Sequence, residues 1–232
     1  MTDNLNFTLS GKQRATILVG ILLVIVIPLG LSILLLNSGL SILDRLFYSR
    51  FIFWAEVLIM LFYAYKVEVR KFLIWDEQRV EIGFFIVSVV ILYFIAIACG
   101  IVANIPKLFG WRDNNALLKR LFPLFEHRQW LLIFVAFTAG VTEELLMRGY
   151  VLTRLSLLVK NRYVPIIVSA LLFSALHYSY RSLKELIFAF LIGIIYGAFY
   201  QKYRNIKVLI IAHFMLDVIN LEIGSHFYRL IK

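Results

Sequence analysis

Charge is scarce in this chain. Only 16% of its 232 residues are Asp, Glu, Lys or Arg, while 62% are hydrophobic. An average globular domain is about 25% charged and about 45–50% apolar. A soluble fold needs polar side chains to cover its surface, so this balance excludes an ordinary globular domain. It predicts an all-α, polytopic bundle of membrane helices in a single domain. Cysteine is nearly absent: with Cys99 alone, no intramolecular disulfide and no Cys-based metal site can form. His-Glu-x-x-His and Gly-x-Ser-x-Gly are both missing, which leaves a zincin and a serine-hydrolase elbow without support. There is no Gly-rich phosphate loop and no basic stretch interleaved with aromatics. The net charge of +10 is therefore not read as a nucleic-acid footprint. The Lys and Arg residues lie between apolar runs, where anionic headgroups attract them.

Seven apolar segments are present, at 15–36, 47–65, 82–103, 129–153, 163–180, 185–201 and 207–223. A spanning helix needs about 20 residues, so about seven transmembrane helices are expected, with six to eight as the range. Lys12 and Arg14 before the first run imitate a signal peptide, but no small-x-small cleavage site closes that run, so a retained helix is expected. In linker 104–128, Leu117, Leu118, Leu121, Phe122 and Phe125 recur at helical spacing against Lys119 and Arg120. Asp113 can cap its start and Pro123 interrupts its end. This predicts an amphipathic helix lying in the bilayer interface. Linker 66–81, with Phe72, Leu73 and Trp75, reads equally as a second such helix or as a polar connector. Lys and Arg divide almost evenly between alternate loops, so charge assigns no orientation. Residues 1–128 form the N-terminal helices and amphipathic linker, and 129–223 the region where polar residues gather.

The gathering begins in "GVTEELLMRGY", inside an apolar helix. A charge at a helix centre costs about 2.5–3.5 kcal/mol on insertion scales, and this stretch holds Glu143, Glu144 and Arg148. Glu144 and Arg148 are spaced i, i+4, acid before base, which is the favoured order for a helical pair. Glu143 points about 140° away from Arg148 around an α-helix and has no local partner. An unpaired carboxylate in a low-dielectric cavity suits general-base work. Phe173 and His177 share a face one segment later. His213, Asp217 and Asn220 form a polar stripe on the last segment. Glu56 stands alone in segment two and fits the interface as well as the interior. Each group taken singly has a bland reading, since an ion pair or a histidine can simply join helices. Together they suit a catalytic cavity.

Among these groups a carboxylate can activate water without a metal, and imidazoles can steady an oxyanion. Glu143, His177 and His213 also make a two-His, one-carboxylate set, so a zinc-dependent variant stands second to a cofactor-free one. A non-enzymatic reading, as a transporter or scaffold, lacks the paired broken helices of inverted repeats.

The order "EELLMR", "FSALH", "HFMLD" resembles the three motifs Glu-Glu-x-x-x-Arg, Phe-x-x-x-His and His-x-x-x-Asn/Asp. These mark the CAAX-protease and bacteriocin-processing family of intramembrane proteases, which includes Rce1-type CAAX prenyl endopeptidases and bacterial Abi-like proteins. The resemblance covers about 130–222. It implies an integral membrane endopeptidase acting on a membrane-embedded or lipidated protein or peptide. Its bacterial members point to the cytoplasmic membrane of a prokaryote. Among its members are also inactive, immunity-type homologues. By this resemblance Glu143 activates water, and Glu144 and Arg148 shape the site. His177 orients the water, Phe173 packs the wall, and His213 with Asp217 stabilises the oxyanion. Asp217 stands where the best-described members have Asn. An ionised Asp cannot donate to an oxyanion, so Asp217 is either protonated in the site or, the reading favoured, orients His213 by accepting its N–H.

Overall fold

The computed structural model describes residues 9–113 and 116–231. Helix α1 (Gly11–Leu36) opens on a capping box, in which Ser10 Oγ accepts the Gln13 amide and the Gln13 side chain accepts the Ser10 amide. Helix α2 (Ile42–Phe62) is capped by Ser41 and runs on through a π-helical turn, Tyr63–Val67. Helix α3 (Ile82–Ala103) leads to a 3-10 turn at Ile105–Phe109. The short α4 (Ala116–Phe125) precedes α5 (Gln129–Glu144), which passes without a break into a π-helix, Leu145–Leu152, and then α6 (Thr153–Leu158). Helix α7 (Tyr163–Leu176) closes in a 3-10 turn, His177–Tyr180. Helices α8 (Leu183–Tyr203) and α9 (Ile206–Ile231) complete the bundle. No strand occurs among the described residues.

Six of these rods are long and apolar enough to cross a membrane: 11–36, 42–67, 82–109, 129–158, 163–180 and 183–203. They correspond to the first six apolar segments of the sequence. The seventh segment is also a helix, of 26 residues and about 39 Å. Its stretch 208–225 stays apolar on average and holds two acids, Asp217 and Glu222, besides the polar His213 and Asn220. The outer faces of α1 and α3 stay apolar, with Leu18, Leu22, Ile33, Ile86, Phe94 and Ile101 exposed. Contiguous apolar surface on that scale is what a bilayer covers.

Small residues let the inner helices approach closely, as in other membrane bundles. A Cβ on Gly140 of α5 would stand 3.0 Å from the Phe214 amide nitrogen and 3.1 Å from the Ile210 carbonyl of α9. A Cβ on Gly193 of α8 would stand 2.8 Å from Ala170 Cα on α7. Leu131, Leu132 and Val135 near the start of α5 cluster with Val218 and Leu221, and Gly140 near its end meets Ile210, so α5 and α9 run antiparallel. Phe47 meets Trp130, Phe51 meets Phe134, and Trp54 Nε1 donates to Thr138 Oγ1 at 3.2 Å, so α2 and α5 run parallel.

Two open alternatives are resolved and two local expectations change. Residues 68–81 form no helix. That segment is instead pinned by Arg154, whose guanidinium pairs with Glu68 at 2.8 Å and donates to the carbonyls of Lys71 and Phe72. Buried Tyr150 also donates to Glu68, at 2.7 Å. Backbone carbonyls that would close a helix are thus occupied by a side chain. The amphipathic helix in 104–128 does form, as α4, but it continues past Pro123 to Phe125. Asp113 is spent on α8, accepting from Ser182 Oγ at 2.7 Å and the Leu183 amide at 2.9 Å, where an acid meets the positive end of the helix dipole. Glu56 lies inside the bundle at 1% exposure, not at the interface.

Replacing Gly193 with Leu overpacks the α7–α8 contact, at a cost of about 1–3 kcal/mol. Thermal unfolding in detergent should show a clearly lower midpoint for Gly193→Leu, while Ala198→Leu, on the exposed face of α8, should melt like the parent.

Candidate active site

The last turn of α5 delivers Glu143 and Glu144 side by side, and the π-helix that follows carries Arg148. The i→i+5 pattern of a π-helix widens the turn, and such segments concentrate at functional sites. The pairing read from α-helical spacing survives the change: Arg148 Nη1 donates to Glu144 Oε1 at 2.9 Å. Both side chains are fully buried, at 1% and 0% exposure.

Glu144 Oε1 has a second partner. His213 Nδ1–H, from α9, donates to the same oxygen at 2.8 Å. Here the structure corrects the expectation for Asp217. The acceptor that orients His213 is Glu144, on another helix, and not the acid one turn along α9. Asp217 Oδ2 lies 3.6 Å from His213 Nε2, and Glu143 Oε2 lies 3.9 Å from the same nitrogen, both beyond ordinary hydrogen-bond length. One imidazole is therefore surrounded by three carboxylates: bonded to Glu144 on one side, and facing Glu143 and Asp217 on the other. Glu143 and Asp217 retain partial exposure, 24% and 29% of their side chains. They line the accessible side of the cluster, and Glu144 and Arg148 form its buried floor.

His177 enters from the end of α7, as the first residue of the closing 3-10 turn. Its Nδ1–H donates to the Phe173 carbonyl at 2.9 Å, so in neutral His177 the lone pair is on Nε2. Its ring packs edge-on against Phe173 at 4.7 Å and stacks over Tyr180 at 5.8 Å. Phe173, buried, also lies under the Arg148 guanidinium, 4.5 Å from its ring centroid, a cation–π contact. Phe173 thus joins the His177 turn to the Glu144–Arg148 pair. Asp217 lies in electrostatic range of both His213 and His177. Glu143, Glu144, Arg148, Phe173, His177, His213 and Asp217 therefore belong to one connected cluster. Asn220 does not join it: it is exposed and bonds to none of these groups among the described residues. It shares the helical face of His213, but two turns of rise, about 10.5 Å, separate them along the axis.

Two contributors escape a reading of the sequence. Tyr196 of α8 is fully buried, with its ring edge-on to His213 at 6.3 Å and under Arg148 at 5.4 Å. With Phe173 it sandwiches the guanidinium. An aromatic residue in an apolar span carries no signal that separates it from core. Arg50 of α2 lies in electrostatic range of Glu143, Asp217 and Tyr180. Its signal was legible, a charge inside segment 47–65, but it sits near the segment's start and reads as a flank.

Chemically, the cluster offers a partly accessible carboxylate, a histidine with a lone pair directed away from its backbone bond, and an imidazole held by a buried ion pair. Among the described residues no group of three His, Cys, Asp or Glu side chains is placed to share a metal ion. Nδ1 of both histidines is already engaged, in His177 by a carbonyl and in His213 by Glu144.

A family model described as Rce1-like, type II CAAX prenyl endopeptidase Rce1-like, matches residues 126–219. The matched stretch holds every member of the cluster except Arg50 and excludes Asn220. No curated protein and no solved structure matches the chain.

Removing one partner of a buried ion pair leaves an uncompensated charge, at about 3–5 kcal/mol. Arg148→Met should therefore lower the yield of folded protein and its melting midpoint sharply. The double variant Glu144→Gln/Arg148→Met should recover most of that stability, as read by size-exclusion profile and thermal melting.

Proposed function

We propose, from the premise that residues 126–219 form an Rce1-like core, that this polytopic protein is an intramembrane endopeptidase in which Glu143 activates water. The observation that carries this reading is the placement of Glu143 Oε2, 3.9 Å from His213 Nε2, on the accessible side of a buried Glu144–Arg148–His213 network. A catalytic base must be reachable by water, and the group that steadies the oxyanion must be rigid. Glu143 meets the first need and His213 the second.

In this mechanism a water between Glu143 and His177 gives up its proton to Glu143 as its oxygen attacks the peptide carbonyl carbon. The carbonyl oxygen becomes an oxyanion. His213, in its doubly protonated form, is held through Nδ1–H by Glu144 and donates Nε2–H to that oxyanion. Glu143 then passes its proton to the departing nitrogen. The C–N bond breaks, leaving a carboxylic acid and an amine. Asp217 steadies the charge of His213 from the other side. Phe173 and Tyr196 hold Arg148 in place, which fixes Glu144 and through it His213. The substrate is a membrane-embedded or lipidated protein or peptide, because the cluster lies among spanning helices.

Purified protein in detergent is tested against a panel of membrane peptides, with products read by mass spectrometry. Glu143→Gln should fold normally and lose at least about 100-fold in kcat, the contribution expected of a general base. Native protein, Glu143→Gln and His177→Ala behaving alike would end the proposal, since any cleavage seen could not come from this site. A chelator added to the same assay should leave the rate unchanged; inhibition that zinc reverses would favour the metal-dependent variant on Glu143, His177 and His213. Asp217→Asn should reduce kcat, since Asn cannot supply the negative charge facing Nε2.

A further inference from the structure

Three arginines enter the bundle interior, and two of them meet a carboxylate directly. Arg148 pairs with Glu144 at 2.9 Å and Arg154 with Glu68 at 2.8 Å. Arg50 does not. No carboxylate lies within 4.0 Å of it among the described residues. Its Nε and Nη2 share the hydroxyl of its neighbour Ser49, at 3.2 and 3.0 Å, and its guanidinium rests 4.8 Å from the Phe53 ring centroid. Nη1 carries two further N–H groups and has no hydrogen-bond partner among the described residues. Arg50 is half-buried, one turn from Phe47 and Trp54, through which α2 packs on α5. The charged and titratable groups in its range are Tyr180 from the turn after α7, Glu143 from α5 and Asp217 from α9. Arg50 therefore faces the reactive side of the cluster from a fourth element.

A cation in a span is costly without a partner. The two acids in range are the partly exposed ones, and neither lies within ion-pair distance of the guanidinium. Arg presents a planar fork that matches a carboxylate in bidentate geometry, and a peptide can bring a carboxylate to this position. We propose that Arg50 is a substrate subsite that binds a carboxylate of the peptide beside the scissile bond. This deepens the endopeptidase reading of the same site and rests on it. The carboxylate comes either from the free C-terminus of the substrate or from an acidic side chain near the cut. Tyr180, stacked on His177, is in electrostatic range of Arg50.

Binding separates this proposal from catalysis. The protein carrying Glu143→Gln is titrated in detergent with a fluorescein-labelled apolar peptide in three forms: free acid, C-terminal carboxamide, and carboxamide with one internal Glu. The free acid or the Glu-containing form should bind about tenfold to a hundredfold tighter than the plain carboxamide, the range expected for a charge-assisted hydrogen bond. The form preferred identifies the source of the carboxylate. Adding Arg50→Gln should remove the preference and leave the plain carboxamide unaffected. Arg50→Lys, which keeps the charge and loses the fork, should retain part of it and serves as the test if Arg50→Gln does not fold. Equal affinity for all three forms, or a loss from Arg50→Gln that is the same for every form, would overturn the subsite. In that second case Arg50 serves only as a counter-charge to Glu143 and Asp217. A rate assay with the Arg50 variants in the otherwise native chain should raise KM for the carboxylate form several-fold more than KM for the carboxamide. If Glu143→Gln itself cleaves like the native protein, the endopeptidase reading fails, while the binding preference still decides the role of Arg50.

Discussion

A single carboxylate oxygen, Glu144 Oε1, accepts from Arg148 at 2.9 Å and from His213 at 2.8 Å, and the arrangement of the site depends on it. Burying a carboxylate is unfavourable, and it is tolerated only when its charge is matched and its lone pairs are used. Here the match is made by one residue on the same rod and one on a neighbouring helix. The bond to His213 therefore ties α5 to α9 at the point where Gly140 already lets the two backbones touch. Packing brings the helices together, and the shared oxygen sets which way the imidazole points.

The surrounding aromatic residues extend that control. Arg148 lies between the rings of Phe173 and Tyr196, which come from α7 and α8. Four helical rods thus converge on a guanidinium and a carboxylate that never reach solvent. The more mobile requirements of chemistry, access for water and for a peptide, fall to Glu143, His177 and Asp217 on the open side. A second buried pair, Glu68 with Arg154, does unrelated work: it holds the connector after α2 against α6. The two pairs use the same physics for different ends, one for the geometry of a site and one for the course of a loop.

Much of this was legible in the residues. Apolar runs predicted the first six spans because hydropathy is a strong signal in lipid, where every backbone group must be satisfied within a helix. The i, i+4 spacing predicted the Glu144–Arg148 pair. Three motifs on three segments marked out Glu143, His177 and His213; Glu143 lies 3.9 Å from His213, and His177 is linked to them through Phe173. What could not be read was contact between helices. Nothing in the sequence says that Glu144 would accept from His213, leaving Asp217 at 3.6 Å. Helical periodicity put Asn220 on the right face but not at the right depth. Tyr196 and Arg50 were hidden for opposite reasons: the first resembles core, the second resembles a flank. The linker 66–81 reads equally as a helix or a connector, and buried Arg154, which binds its carbonyls, decides for the connector.

The π-helix at Leu145–Leu152 makes chain length itself a constraint. Glu144 at its start is committed to His213, and Arg154 just beyond its end is committed to Glu68. The wide turn sets the angular phase between these two anchors. Loss of one residue with the wide winding retained would rotate everything after it by roughly one residue's angle, about 100° in an α-helix. Arg154 would then leave Glu68 even though no residue at either anchor had changed. Substitution can therefore explore this stretch far more freely than insertion or deletion can, and the number of residues between the two buried acids' partners is as much a part of the site as their identities.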